Sequence, residues 1–136
     1  MVSHLTESYF NNEGGWTRLQ EYYVEGMVKS IIDAMERLLQ NSQDSEARST
    51  LMWAASLAWN GLNVAGVGKC SNPCHKLEHP LSAVYDIAHG AGLAVLTPAW
   101  LKYHLSDKAA KIARFGREVW KINLPDDYEN ALAAIE

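Results

Sequence analysis

Three of the chain's five histidines, His75, His79 and His89, lie within one stretch of fifteen residues and could bind a metal ion. Neutral imidazole is a common ligand of zinc and iron(II), but several such ligands must converge on one point. His75 and His79 are four residues apart, so on a helix they share a face about 6 Å apart. On one straight helix His89 would lie about 21 Å from His75. A shared ion therefore requires a turn, for which Pro80 and the His89–Gly90 step are the candidates.

Two other interpretations of this stretch remain open. Residues 75–79 read H-x-x-E-H, the motif of inverted zinc peptidases, in which His75 and His79 would bind zinc and Glu78 would act as general base. A third ligand would then be a downstream carboxylate, and the candidates are Glu118, Glu129 and Glu136. The mixed α/β sheet of such peptidases is not indicated by the sequence. The other alternative is a helical binding or scaffold module in which the histidines are structural.

Composition argues against several classes of function. The chain of 136 residues fits one domain, and its 48% apolar residues can fill one hydrophobic core. The formal charge of −4 and the scattered basic residues argue against a nucleic-acid partner. No apolar stretch has the length of a membrane span, and the N-terminus has no signal-peptide pattern. Cys70 and Cys74 are expected to serve packing, in a reduced, cytoplasmic setting.

Apolar spacing is helical along almost the whole sequence and predicts an all-α, bundle-like domain of about six to seven helices. The predicted helices cover residues 2–10, 19–38, 45–62, 92–104 with a kink or fresh start near Pro98, 107–121, and a last helix opened by LPDD at 124–127. Ser45 is the predicted N-cap of the third helix, and Ser106 or Asp107 that of the fifth. Residues 11–15 predict a turn and residues 61–74 an irregular loop. We find no glycine-rich nucleotide-binding motif.

At full length, the histidine stretch resembles the metal domain of the iron-containing alcohol dehydrogenases, closest to their butanol dehydrogenase group. That family carries the block H-x-x-x-H-x-L-S-A-x-Y-D-I-x-H-G-x-G-L-A. The matching residues here are His75, His79, Leu81, Ser82, Ala83, Tyr85, Asp86, Ile87, His89, Gly90, Gly92, Leu93 and Ala94. The resemblance continues through residues 97–103, and upstream through residues 47–62 and 3–14. It therefore covers nearly the whole chain, in the family's order.

The resemblance implies a set of site residues. In that family an aspartate, a histidine four residues later and two histidines of the later block hold a divalent metal, iron or zinc. These histidines correspond to His4, His75 and His89, whereas His79 corresponds to a histidine near the nicotinamide of NAD(P) and the proton path. His79 is thus the implied catalytic and cofactor-binding residue. Tyr85 and Asp86 are candidates to contact the ligands and orient them without binding the metal themselves.

The implied activity is hydride transfer between NAD(P) and a small primary alcohol or aldehyde. The family's aspartate would fall before Met1, and the family's N-terminal dinucleotide-binding domain is not recognised in this sequence. We therefore expect residues 1–136 to be a single helical metal-binding domain, an internal piece of a dehydrogenase that is inactive by itself. Apolar surface that packs on other parts of such an enzyme would be exposed, which predicts self-association as a homo-oligomer.

Overall fold

A computed structural model describes residues 1–14 and 17–136 of the chain, and the described part is helical. Its seven α-helices are α1 (Val2–Phe10), α2 (Arg18–Gln40), α3 (Ser45–Leu57), α4 (Pro73–Tyr85), α5 (His89–Tyr103), α6 (Leu105–Phe115) and α7 (Asp127–Ile135). The described residues contain no β-strand, only an isolated antiparallel bridge between Asn12 and Cys70. The predicted all-α class is confirmed. None of the described helices is both long and apolar enough to cross a membrane.

The helices form two compact units, Met1–Ser71 and Asn72–Glu136, each of which is described by itself. The expectation of one single domain stays a prediction. Helix α1 has the predicted bounds and ends at Asn11. The predicted turn at residues 11–15 begins there, and its Gly15 lies outside the described residues.

In the first unit the long helix α2 packs against α1 and α3. Its buried apolar residues recur three or four positions apart, and they are Val24, Val28, Ile31 and Ala34. The apolar spacing of the sequence predicts a buried face that includes Ile31 and Ala34 but also Leu19, Tyr22 and Met35, and these last three are exposed. Two tyrosine hydroxyls donate hydrogen bonds between helices: Tyr9 to Glu25 Oε1 at 2.8 Å and Tyr23 to the Leu57 carbonyl at 3.0 Å. The buried Tyr9 and Glu25 side chains are thus paired with each other within the apolar core.

Helix α3 differs from the prediction at both ends. Its N-cap is Asp44 rather than Ser45, because the Asp44 carboxylate accepts from the Ala47 N–H at 3.0 Å. It ends at Leu57 rather than at Leu62. Beyond it Gly61 adopts φ 89°, and Leu62–Val64 form a short 3₁₀ turn inside the predicted irregular loop. Apolar spacing continues past the end of the helix, so periodicity alone overestimated its length.

The second unit contains α4 to α7, with α6 packed closely on α7. Helix α5 begins at His89 rather than at Gly92 and continues through Pro98 without a fresh start. Helix α6 begins at Leu105, and its N-cap is His104 rather than Ser106 or Asp107. The helix predicted for residues 107–121 is α-helical only as far as Phe115. The π-helical segment Gly116–Trp120 follows α6, and Lys121 terminates it at φ 61°.

Gly116 lies where the π-helical segment packs against α7, and this contact explains why the residue is a glycine. A Cβ there would lie 2.7 Å from that of Ala134, so glycine permits the close approach. Asn130 of α7 donates to the Ala113 carbonyl at 2.9 Å and accepts from the Leu124 N–H at 2.8 Å. The LPDD sequence leads into α7, and Asp126 is the N-cap that accepts from the Glu129 N–H at 3.0 Å. The helix begins at Asp127, so Pro125 precedes the cap and does not stand in the first turn as predicted.

Candidate metal centre

The break between α4 and α5 brings three imidazole rings together. The ring centroid of His89 lies 5.2 Å from that of His75 and 5.2 Å from that of His79, and the latter two are 6.1 Å apart. A metal ion shared by His75 and His89 requires a turn between them, and the structure has one. It lies at residues 86–88, and not at Pro80, which is inside α4, or after His89, which begins α5.

The turn has a local cause at the end of α4. Asp86 adopts the left-handed conformation with φ 52°, and its N–H donates to the Ser82 carbonyl at 3.0 Å. Ala88 is extended and acts as the N-cap residue of α5, whose first turn closes with the Ala91 N–H on the Ala88 carbonyl at 2.8 Å. A left-handed residue followed by an extended one ends one helix and redirects the chain into the next.

The three histidines differ in their access to solvent. His75 is 7% exposed and belongs to the buried face of α4. His79 is exposed, and the side chain of His89 is 43% exposed. Two of the three rings are therefore open to solvent and one lies in the interior.

Glu78 is the carboxylate within this cluster. It is 0% exposed, its Oε2 contacts His89 Nδ1, and its Oε1 contacts Ser82 Oγ. The hydrogen bond from Ser82 and then that from His89 hold the pKa of Glu78 below its ordinary value, although burial acts in the opposite direction. Glu78 is therefore the ionised, hydrogen-bond-accepting member of the cluster.

His4, the remaining predicted ligand, lies in α1 of the first unit. Its ring packs against that of Trp59 with the centroids 4.3 Å apart and the ring planes tilted by 37°. Within the second unit the structure thus brings His75, His79 and His89 together, and it describes His4 in the other unit. Among the described residues, no group of three or more His, Cys, Asp and Glu side chains forms a ready metal-binding set. The ligand set His4, His75 and His89 stays a prediction.

The donor chemistry nevertheless fits a divalent ion. His75 and His89 supply two imidazoles that approach each other across the helix break, and an imidazole whose other nitrogen contacts a carboxylate is a common metal ligand. In His89 that carboxylate is Glu78. The fit is to iron(II) and to zinc alike, since both take neutral imidazole.

Glu78 lies next to the predicted ligands, a place for which Tyr85 and Asp86 were the candidates from the sequence. Tyr85 is 69% exposed, and Asp86 is exposed at the end of α4. Two features of the sequence are consistent with this position of Glu78. Glu78 and Ser82 have i, i+4 spacing on one helix face, and the small residue Gly92 comes one turn after His89.

The geometry also bears on the H-x-x-E-H interpretation. A general base in such a motif must reach a water bound to the metal. Here the Glu78 carboxylate is fully buried, and its two oxygens contact Ser82 and His89. The arrangement does not favour Glu78 as a base acting on water.

Known proteins with a similar sequence and fold define the class of this helical domain. The profile of the Fe-containing alcohol dehydrogenase family, C-terminal part, matches residues 1–136. NADH-dependent butanol dehydrogenase A of Clostridium acetobutylicum is 42% identical over 139 aligned residues, which cover 100% of this chain and 35% of that protein. NADPH-dependent aldehyde reductase YqhD of Escherichia coli is 31% identical, with 97% of this chain and 34% of that protein covered.

The solved structures agree with the sequences. The crystal structure of E. coli K-12 YqhD superposes with a TM-score of 0.91 at 30% identity, over 98% of this chain and 34% of that chain. The chain belongs to the Fe-containing alcohol dehydrogenase family and corresponds to its C-terminal part. It spans about a third of the length of the curated relatives it matches.

Proposed function

We propose that this chain is the metal-binding helical part of an NAD(P)-dependent alcohol dehydrogenase that interconverts small primary alcohols and aldehydes. The observation that carries the proposal is the cluster of His75, His79 and His89 at the α4–α5 break, in a chain of this family. Relatives named as a butanol dehydrogenase and as an aldehyde reductase support the substrate class. Those names include both NADH and NADPH, so the proposal covers both cofactors.

The proposed ligands of the divalent ion are His75, His89 and His4. The ion, when bound, supplies Lewis acidity toward the substrate oxygen, and the nicotinamide exchanges the hydride with the substrate carbon. The low exposure of His75 supports its role, since a ligand held in the interior keeps a fixed orientation. His89 would bind the ion from the first residue of α5.

His79 has a different proposed role, in proton transfer. Oxidation of an alcohol to an aldehyde releases one hydride and the hydroxyl proton, so a group near the reacting oxygen must pass that proton to water. An imidazole titrates in the neutral range and can do this. The ring of His79 is exposed and lies 5.2 Å, centroid to centroid, from that of His89, which supports the role.

The test has two parts. The metal content of the purified 136-residue chain is measured after growth with iron or zinc, with His75→Ala and His89→Ala as variants. A chimaera that carries the preceding part of butanol dehydrogenase A upstream of this chain is then assayed with butanol and either nicotinamide cofactor. We expect about one divalent ion per chain, lost in both variants, and formation of the reduced nicotinamide by the chimaera.

Intact butanol dehydrogenase A serves as the positive control for the assay. A chimaera that is folded and contains metal, yet neither oxidises an alcohol nor reduces an aldehyde, would contradict the proposed reaction. Retention of the metal by both histidine variants would contradict the proposed ligands.

A further inference from the structure

Glu78 has the surroundings of a group that orients another side chain. It lies on the buried face of α4, one turn after His75, and its side chain is completely enclosed. One carboxylate oxygen contacts Ser82 Oγ on the same helix, and the other contacts Nδ1 of His89 on α5. The carboxylate therefore joins the helix that carries His75 to the helix that carries His89.

We propose that Glu78 is the positioning residue of His89: it accepts a hydrogen bond from Nδ1–H and so presents Nε2 as the metal-binding nitrogen. The inference rests on the proposed function, because it takes His89 as a ligand. It adds the identity of the ligating nitrogen and of the group that selects it.

The chemistry of the two groups gives the direction of this hydrogen bond. A neutral imidazole has one N–H donor and one acceptor nitrogen, whereas an ionised carboxylate can only accept. The other oxygen of Glu78 accepts from the Ser82 hydroxyl, as a carboxylate does. Contact with Nδ1 therefore requires the proton of His89 on Nδ1, which leaves the lone pair on Nε2 free for a metal ion.

Gly92 supplies the space that this arrangement needs. A Cβ at Gly92 would lie 2.5 Å from Glu78 Oε1 and 2.7 Å from Glu78 Cγ. Any side chain at this position would thus displace the carboxylate from His89. At Gly90, two residues earlier on α5, an added Cβ would meet no described atom within 4 Å. The two glycines form a matched pair for a test, since only one of them touches Glu78.

The first experiment determines the tautomer of His89 in the metal-free 136-residue chain. Two-bond proton–nitrogen NMR spectra of histidine-labelled protein at mildly alkaline pH distinguish the Nδ1–H form from the Nε2–H form. His89→Gln identifies the resonance. We expect the Nδ1–H form in the wild type and the Nε2–H form, the usual one for a free imidazole, in Glu78→Leu. Glu25→Leu, which removes an equally buried carboxylate from the first unit, should leave the His89 tautomer unchanged.

The glycine pair provides a second route if Glu78→Leu does not fold. Gly92→Ala keeps the carboxylate but displaces it, so the His89 tautomer should shift as in Glu78→Leu. Gly90→Ala should retain the wild-type tautomer. A His89 ring that carries its proton on Nε2 in the wild type, or one that is unaffected by both Glu78→Leu and Gly92→Ala, would overturn the proposal.

Zinc binding by the same variants separates this inference from the proposed function. Competition with a chromophoric chelator gives the Kd for Zn²⁺, and loss of the orienting carboxylate should weaken binding about tenfold to a hundredfold. Tight binding by the wild type with equal affinity in Glu78→Leu would refute the role of Glu78 and leave the metal site standing. A wild type that binds no Zn²⁺ would refute the metal site, while the tautomer still decides the role of Glu78.

Discussion

At the scale of single residues, the three clustered imidazoles are distinguished by their surroundings rather than by their spacing. His75 is buried, His89 is held by Glu78, and His79 is exposed. Spacing alone would pair His75 with His79, since they are one helical turn apart. The His89 ring nevertheless lies closer to His75, at 5.2 Å, than the His79 ring does, at 6.1 Å.

The roles proposed for these histidines predict different losses on substitution. His79→Ala should leave the metal content of the chain unchanged and should lower kcat of the chimaera about a hundredfold or more, because it removes a proton-transfer group. His75→Ala should abolish metal binding. Elemental analysis and the nicotinamide assay measure the two effects. Loss of the metal in His79→Ala with retention in His89→Ala would instead support the H-x-x-E-H pairing.

At the scale of elements, the site depends on how α4 ends. Asp86 stands in the left-handed region with φ 52°, where a residue with a Cβ is disfavoured, and residues 86–88 then redirect the chain so that α5 begins with His89. A helix that continued through this point would carry His89 away from His75. The conformation of one exposed residue therefore contributes to assembling the cluster.

The left-handed conformation of Asp86 predicts that glycine at this position stabilises the chain. Asp86→Gly should raise the free energy of unfolding by up to about 1 kcal/mol, since relief of left-handed strain exceeds the entropy that glycine adds to the unfolded chain. Asp86→Ala keeps the strain and should be neutral or destabilising. Urea denaturation of both variants measures the difference. A loss of stability in Asp86→Gly would show that the Asp86 side chain holds the turn.

The N-cap of α3 predicts a dependence of stability on pH. The Ala47 N–H, and after it the Arg37 guanidinium, hold the pKa of Asp44 below its ordinary value of 3.8. A carboxyl whose pKa is lowered in the folded state contributes stability above the ordinary value, and this is lost as the pH falls through the lower folded value. Asp44→Asn should therefore be less stable than the wild type near neutral pH. The difference should decrease as the pH falls below 3.8 and should vanish once the pH is below the lowered pKa of the folded state.

Asp33→Asn is the matched control for this prediction. Asp33 lies 4.0 Å from the same Arg37 guanidinium, but its side chain is 72% exposed, and exposed ion pairs contribute little. Denaturation curves across the acid range should show little difference between this variant and the wild type. An equal effect of both substitutions would assign the pH dependence to the charge of Arg37 rather than to the helix cap.

At the scale of the whole molecule, the chain consists of two compact units and exposes several large apolar side chains. On and just after α3 these include Met52, Trp53, Trp59 and Leu62, which are 52–74% exposed. The chain spans about a third of the length of its curated relatives. Self-association as a homo-oligomer stays a prediction, which light scattering after size-exclusion chromatography can check.

Metal binding should be coupled to the stability of the whole chain. A ligand that binds only the folded state at a hundred times its Kd adds about 2.7 kcal/mol to the free energy of unfolding. Zn²⁺ should therefore raise Tm of the chain, and a chelator should reverse the rise. His75→Ala should show no such response. Calorimetry with and without metal measures it, and an equal rise in His75→Ala would indicate binding elsewhere.

The sequence by itself determined the helical class, the bounds of α1, the helical period of α2 and the need for a turn between His75 and His89. These follow from periodicity and turn chemistry, which act over a few residues. The block of residues 75–94 also indicated the family, which the comparisons confirm.

Only the tertiary structure decided where the turn lies, where α3 ends, and what Glu78 touches. Competing helix stops such as Pro80 and Asp86 have similar local signals, and packing selects between them. The contact between Glu78 and His89 joins residues eleven positions apart on two helices, and it exists because Gly92 lets those helices approach. The sequence contains both residues of the Glu78–His89 contact, but only the packing of α4 against α5 brings them together.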